Sequence, residues 1–166
     1  GQKALQGWKA MHVPHIRQSY NWDCGLACVL MVLRGLGCQG VDQGRLHLLC
    51  QTKSIWTVDL AHLLRSFGLE VRFLTVTIGA NPGFANESFY MENMEEDGKR
   101  VERLFREARS AGIMLERRSL TLDELRGYVL SGMYLVITLI DKRQLNTAWG
   151  GKGASCLSSC CGGGGQ

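Results

Sequence analysis

Gln18 stands six residues before Cys24 in the stretch Gln18-Ser19-Tyr20-Asn21-Trp22-Asp23-Cys24-Gly25-Leu26-Ala27-Cys28, a spacing that suits acyl chemistry. From Cys24 to Leu33 the chain is apolar nearly all round, the pattern of a buried helix. A cysteine in the first turn of a helix lies at the positive end of the macrodipole, which favours the thiolate. An amide close by can donate to the oxyanion formed when that thiolate attacks a carbonyl. Asp23 adjoins the thiol, so Cys24, Gln18 and Asp23 form the candidate catalytic set. The competing reading is an inert core thiol, because free cysteine is commonly buried.

Other constellations are weaker. Cys24 and Cys28 lie one helical turn apart, as metal ligands can, but no second pair at zinc spacing accompanies them, which favours core packing. The run Gly150-Gly151-Lys152-Gly153-Ala154-Ser155 lacks the spacing of a phosphate loop. Cys156, Cys160 and Cys161 fall in a Gly- and Ser-rich tail, where thiols rarely have a defined role. Trp22 and Trp56 read as core or groove-wall aromatics rather than as stacking platforms. Asp59 on a helix and Asp141 at the end of an apolar run are the carboxylates to nominate for metal, although each also suits a cap or a solvated surface.

The elements that must position these residues follow from periodicity. Residues 1–12 read as a loose leader. The central helix runs to about residue 36 and stops at Gly37. A short helix covers 41–50, and Thr57 caps another to 67, with Leu60, Leu63, Leu64 and Phe67 on its apolar face. A strand is expected over 70–78 and a turn over 79–83. An amphipathic helix over 98–111 turns Val101, Leu104, Phe105 and Ala108 inward and places Glu102 with Arg106, and Arg103 with Glu107, outside. A strand follows at 113–117. Thr121 and Glu124 form a capping box for a helix to 130, and the apolar run 134–140 reads as a buried strand.

With 166 residues the chain is read as one domain over 1–148, followed by a Gly-, Ser- and Cys-rich tail over 149–166. A net charge of +4 is too small to argue for nucleic acid or membrane partners. No segment reaches the length of a membrane span. Seven cysteines without a secretory signal suggest reduced thiols and a cytoplasmic location.

The segment around Asp23-Cys24-Gly25, with its upstream Gln18 and following apolar helix, resembles the papain-like cysteine peptidase superfamily, especially its bacteriocin-processing branch. Val13-Pro14-His15-Ile16, Trp22 to Cys28, Ser54-Ile55-Trp56-Thr57-Val58-Asp59-Leu60-Ala61 and Gly79-Ala80-Asn81-Pro82 are similar to the guanylyl cyclase domain-containing family, and within it to the plant soluble guanylyl cyclases. The likeness covers about residues 12–145. It implies an α+β, papain-like fold in which the buried central helix packs on an antiparallel sheet. A papain-like hydrolase takes its base histidine from a strand in the second half, whereas the histidines here are His12, His15, His47 and His62. The family's Gly-His-Tyr and Asp-Pro would come later, so the chain is expected to be C-terminally truncated, with open strand edges that favour a homodimer.

The resemblance further implies conversion of GTP to cyclic GMP with Mg²⁺ or Mn²⁺. Cyclisation calls for carboxylate-held cations and a basic residue at the phosphates. The short motif proposed for plant guanylyl cyclases is matched at its opening by Ser66-Phe67-Gly68-Leu69. Where it next expects a basic residue the chain has Thr77, Ile78 and Gly79, with Arg72 nearer but off register. Ser66, Phe67, Gly68 and Arg72 are therefore the candidate substrate-binding set, and Asp59 and Asp141 the candidate metal set. Ser66-Phe67-Gly68 also reads simply as a helix C-terminus. Two other functions remain open: a cysteine hydrolase using Cys24, and an inactive scaffold that binds protein partners.

Overall fold

The computed structural model describes residues 11–79 and 94–140. The leader up to residue 10, the turn beyond Gly79, Asp141 and the tail over 149–166 lie outside the described residues. Three helices come first, α1 (Cys24–Gly35), α2 (Gln43–Cys50) and α3 (Thr57–Ser66). They are followed by β1 (Val71–Thr75), α4 (Met94–Glu107), β2 (Ile113–Arg117) and α5 (Leu122–Leu130), a mixture of helix and strand that fits the α+β class.

Local chemistry explains the boundaries. α1 closes with Gly37 at φ +80°, where the Gly37 N–H reaches the Arg34 carbonyl and the Cys38 N–H reaches the Leu33 carbonyl. This left-handed closure satisfies carbonyls the helix leaves open. α2 starts two residues later than expected because Asp42 caps it, accepting from the Arg45 N–H at 2.7 Å. α3 is capped differently from the expectation. Thr57 is its first helical residue, Trp56 is the N-cap, and the Asp59 carboxylate accepts the Trp56 N–H at 2.7 Å. The capping box at Thr121 and Glu124 forms as expected.

α3 is the middle of the molecule. Its Leu60 and Leu63 join Leu26, Val29, Leu30 and Leu33 of α1, with Val41 and Leu46, in one core cluster. Its Val58 meets Val101 and Phe105 of α4, and its Ala61 meets Ala108 and Ile113. The central helix expected at α1 to lie against the strands is thus displaced: α1 rests on α2 and α3, and α3 carries the sheet. A Cβ at Gly25 would come within 2.8 Å of Leu60 Cδ1, so glycine is what allows α1 to sit this close to α3.

The sheet also departs from expectation. β1 and β2 pair in parallel, in register from Val71 with Ile113 to Thr75 with Arg117, not antiparallel. Parallel neighbours require a long crossover, and α4 lies within it. Residues 134–140 do not form a strand. Leu139 is 71% exposed and Ile140 56% exposed, while Ile137 alone of this run packs against the first cluster. An apolar run becomes a strand only where a neighbouring ladder accepts it, and among the described residues none does. No described helix is long and apolar enough to cross a membrane.

Candidate functional site

The loop before α1 and one face of α2 build the site around a buried carboxylate. Asp23 is 0% exposed. Its Oδ1 accepts the Tyr20 N–H at 2.9 Å. Its Oδ2 accepts the Gln43 side-chain amide at 2.8 Å, His47 Nε2 at 3.0 Å and, more distantly, the Ser19 N–H at 3.3 Å. Gln43 and His47 meet the same oxygen because they are four apart on α2 and share a face. The Ser19 hydroxyl donates to Gln43 Oε1 at 2.9 Å, which fixes the amide's orientation. Burial of a carboxylate is tolerable only with such donors. A carboxylate only accepts, so the hydrogen of this contact sits on His47 Nε2 and the lone pair of a neutral imidazole sits on Nδ1.

Aromatic rings stack beside this network. Tyr20 and Trp22 lie with centroids 5.5 Å apart and planes 9° from parallel. His47 is 4.9 Å from Trp22 and 5.7 Å from Tyr20. Together with Gln51, Thr52 and Lys53 they line a pocket of about 480 Å³, within the range of small-molecule sites. Trp22 is a pocket wall, as expected, but its ring is also stacked on Tyr20, an arrangement the sequence reading set aside, while Trp56 is a core residue.

Of the candidate catalytic set, Asp23 is the centre of this network. Cys24 is exposed at the first position of α1. The Gln18 amide donates to the Tyr20 carbonyl at 2.6 Å, so it braces the loop. His47, Gln43, Tyr20 and Lys53 are not singled out by the sequence argument, because a base histidine is sought there in the second half. The available signal was the four-residue spacing of Gln43 and His47 on a predicted helix.

The candidate substrate-binding set separates. Ser66 and Gly68 line a second pocket of about 440 Å³ with His62, Arg65 and Ala111. Ser66 donates to the Leu63 carbonyl, and Gly68, at φ +79°, closes α3. Arg65 there is spent on the Ala111 and Leu69 carbonyls. Phe67 packs against the first core cluster. Arg72 is on β1, paired with Glu116 at 2.6 Å and standing over the Tyr128 ring. Arg118 first, and then Arg72, hold the Glu116 carboxyl below its usual range.

The described residues do not fit a protein-held metal pair. Asp59 is buried and bonded to the Trp56 N–H and to Arg100, which also reaches Asp97 at 3.0 Å and the Ser54 carbonyl at 2.8 Å. Burial pushes the Asp59 carboxyl up, and Arg100 pulls it back. The Cys50 thiol is pushed up to about 11, by burial first and then by Asp59. Asp141 lies outside the described residues. Among the described residues no group of three or more His, Cys, Asp or Glu could hold a metal ion.

Residues 13–163 match a protein family described as guanylylate cyclase. Guanylyl cyclase 1 of Arabidopsis thaliana is 48% identical over 139 residues, which is 84% of this chain and 51% of that protein. The chain thus spans about half the length of this curated relative. No solved structure matches the chain at a significant level.

Proposed function

The chain belongs to the guanylylate cyclase family, and on that premise we propose that it binds GTP in the Tyr20–Trp22–His47 pocket and converts it to cyclic GMP. The observation that carries this reading is a stacked aromatic pair on the wall of an open pocket that also holds Lys53. A purine offers a flat face to such a pair, and stacking of this kind contributes about 1–3 kcal/mol per base. Lys53 supplies positive charge for the triphosphate, and Gln51 and Thr52 supply polar contacts at the rim. In the reaction the ribose 3′-oxygen attacks the α-phosphorus and pyrophosphate leaves. Since the described side chains do not fit a bound metal pair, the divalent cation enters as part of the substrate, complexed to the phosphates of GTP.

Calorimetry with GTP and Mn²⁺, together with a cyclic GMP assay, tests the reading. Trp22→Ala should weaken GTP binding about tenfold, the factor that 1.4 kcal/mol of lost stacking implies. Ser66→Ala should change neither binding nor product formation. The reverse pattern would move the substrate to the pocket of Ser66 and Gly68.

A second reading, a cysteine hydrolase on a papain-like scaffold, is favoured by one observation: Cys24 is exposed at the helix start beside Asp23. Cyclic GMP production that survives Cys24→Ala supports cyclisation. A peptide-cleaving activity that the same substitution abolishes supports the hydrolase.

A further inference from the structure

We propose that His47 is the general base of the cyclisation, taking the proton of the 3′-hydroxyl on Nδ1, and that Asp23 is the residue that positions it. This rests on the reading that GTP is cyclised in the pocket His47 lines.

The roles follow from which nitrogen is occupied. His47 Nε2 is 3.0 Å from Asp23 Oδ2, while among the described residues nothing hydrogen-bonds Nδ1. The carboxylate cannot turn away from the ring, because the Ser19 and Tyr20 N–H groups and the Gln43 amide hold it from other sides. The ring cannot tilt freely either, because Trp22 packs against it at 4.9 Å. One nitrogen is thus tied to a fixed acceptor and the other keeps a lone pair in an imidazole that lines the pocket. Among the side chain types of this pocket, imidazole is the one most often used as a general base. His47 borders the same pocket as the aromatic pair on which the guanine is proposed to stack.

The step balances without a further reactant. Nδ1 gains the hydroxyl proton as the O3′–Pα bond forms. The bond from Pα to the bridging oxygen breaks, and its electron pair departs with pyrophosphate. The imidazolium left behind is stabilised by the adjacent Asp23 carboxylate, as in other carboxylate–histidine pairs, and returns its proton to water. Asp59, also buried near a helix start, lines neither pocket described above, and a guanidinium holds its carboxylate.

The test uses the 166-residue chain with GTP and Mn²⁺. His47→Gln keeps an amide that can face Asp23, and His47→Ala leaves room for free imidazole. Both should lower kcat by about 100-fold or more, the lower end of what a general base contributes, with GTP affinity by calorimetry within about threefold of wild type. Imidazole in the buffer should restore part of the activity of His47→Ala and none to Asp23→Asn. Circular dichroism melts establish that each variant is folded.

If a folded His47→Gln retains kcat, the base is elsewhere and the proposal falls, while the cyclase reading stands. If a folded variant loses GTP affinity and kcat together, His47 is a wall of the binding pocket, and the base role is likewise overturned. If the wild-type chain binds no GTP or forms no cyclic GMP, the cyclase reading itself fails, and the proposal fails with it.

Discussion

The starts of α1 and α3 each bury an aspartate, and the two sites behave as opposites. Asp23, 0% exposed, is held by neutral N–H donors and one imidazole at the wall of a pocket. Asp59, 8% exposed, is held by its own helix cap and by Arg100, away from either pocket described above. A guanidinium cancels the charge and keeps its proton, so the Asp59 site is a lock between α3 and α4. An imidazole leaves one nitrogen over, and the base role proposed above rests on that nitrogen. A buried carboxylate is therefore not in itself a functional mark. The partner decides, and here both decisive partners come from another helix.

The largest expected effect breaks the lock. Arg100→Ala leaves Asp59 and Asp97 buried without their counter-charge, and Asp97 Oδ2 already lacks a hydrogen-bond partner among the described residues. Breaking a buried pair from one side costs about 3 kcal/mol. Urea unfolding reads it, and a loss under about 1 kcal/mol would mean that Arg100 is not a lock. At temperatures where the variant stays folded, the proposed GTP binding should match wild type, which separates the two sites.

Asp23→Asn should cost less, about 2 kcal/mol, because an amide can serve some of these donors but turns N–H toward others. If the pocket cyclises GTP as proposed, its signature is a loss of cyclic GMP formation larger than the loss of GTP affinity. Equal losses would make Asp23 a lock of the same kind as Asp59.

A third helix start sharpens the contrast from the surface. Thr121 and Glu124 form a capping box on α5, which buries no residue. Thr121→Ala should lower stability by about 1 kcal/mol, as exposed caps do, and leave GTP binding unchanged. Failure of that control would show that α5 communicates with the pocket.

The smallest effect concerns Cys50, next to the Asp59 lock. Its thiol is raised from 9.0 to about 11, so the native state keeps a proton that the unfolded chain releases across that window. The unfolded state then binds fewer protons, and stability falls as pH rises from about 9 to 11. Unfolding midpoints measured over that range should decline more steeply in wild type than in Cys50→Ala. Cys50 should also alkylate more slowly than the exposed Cys24 at neutral pH. Fast labelling of Cys50 would show that its surroundings are open.

Residues near one another in the chain determined much of this protein. The 3.6-residue spacing that takes in Val101 and Phe105 marks a helix whose inner face is indeed buried, with Ala108 buried just past its end. Gly37 and Gly68 mark helix ends because the backbone turns to positive φ there, which glycine adopts at little cost. The box of Thr121 and Glu124 is fully local. A thiol at the first position of α1 was legible in the same way, since helix starts are set by short-range signals.

The remaining features rest on contacts between partners far apart in the chain. His47 is 24 residues from Asp23, and Arg100 is 41 from Asp59, so neither pairing has a local signature. The strand direction depended on where the chain between β1 and β2 crosses, and the run over 134–140 depended on a neighbour that the described residues do not supply. Periodicity reports which face of an element is apolar. It says nothing of which other element covers that face, or of whether a buried charge meets a guanidinium that closes it or an imidazole that leaves a nitrogen over for chemistry.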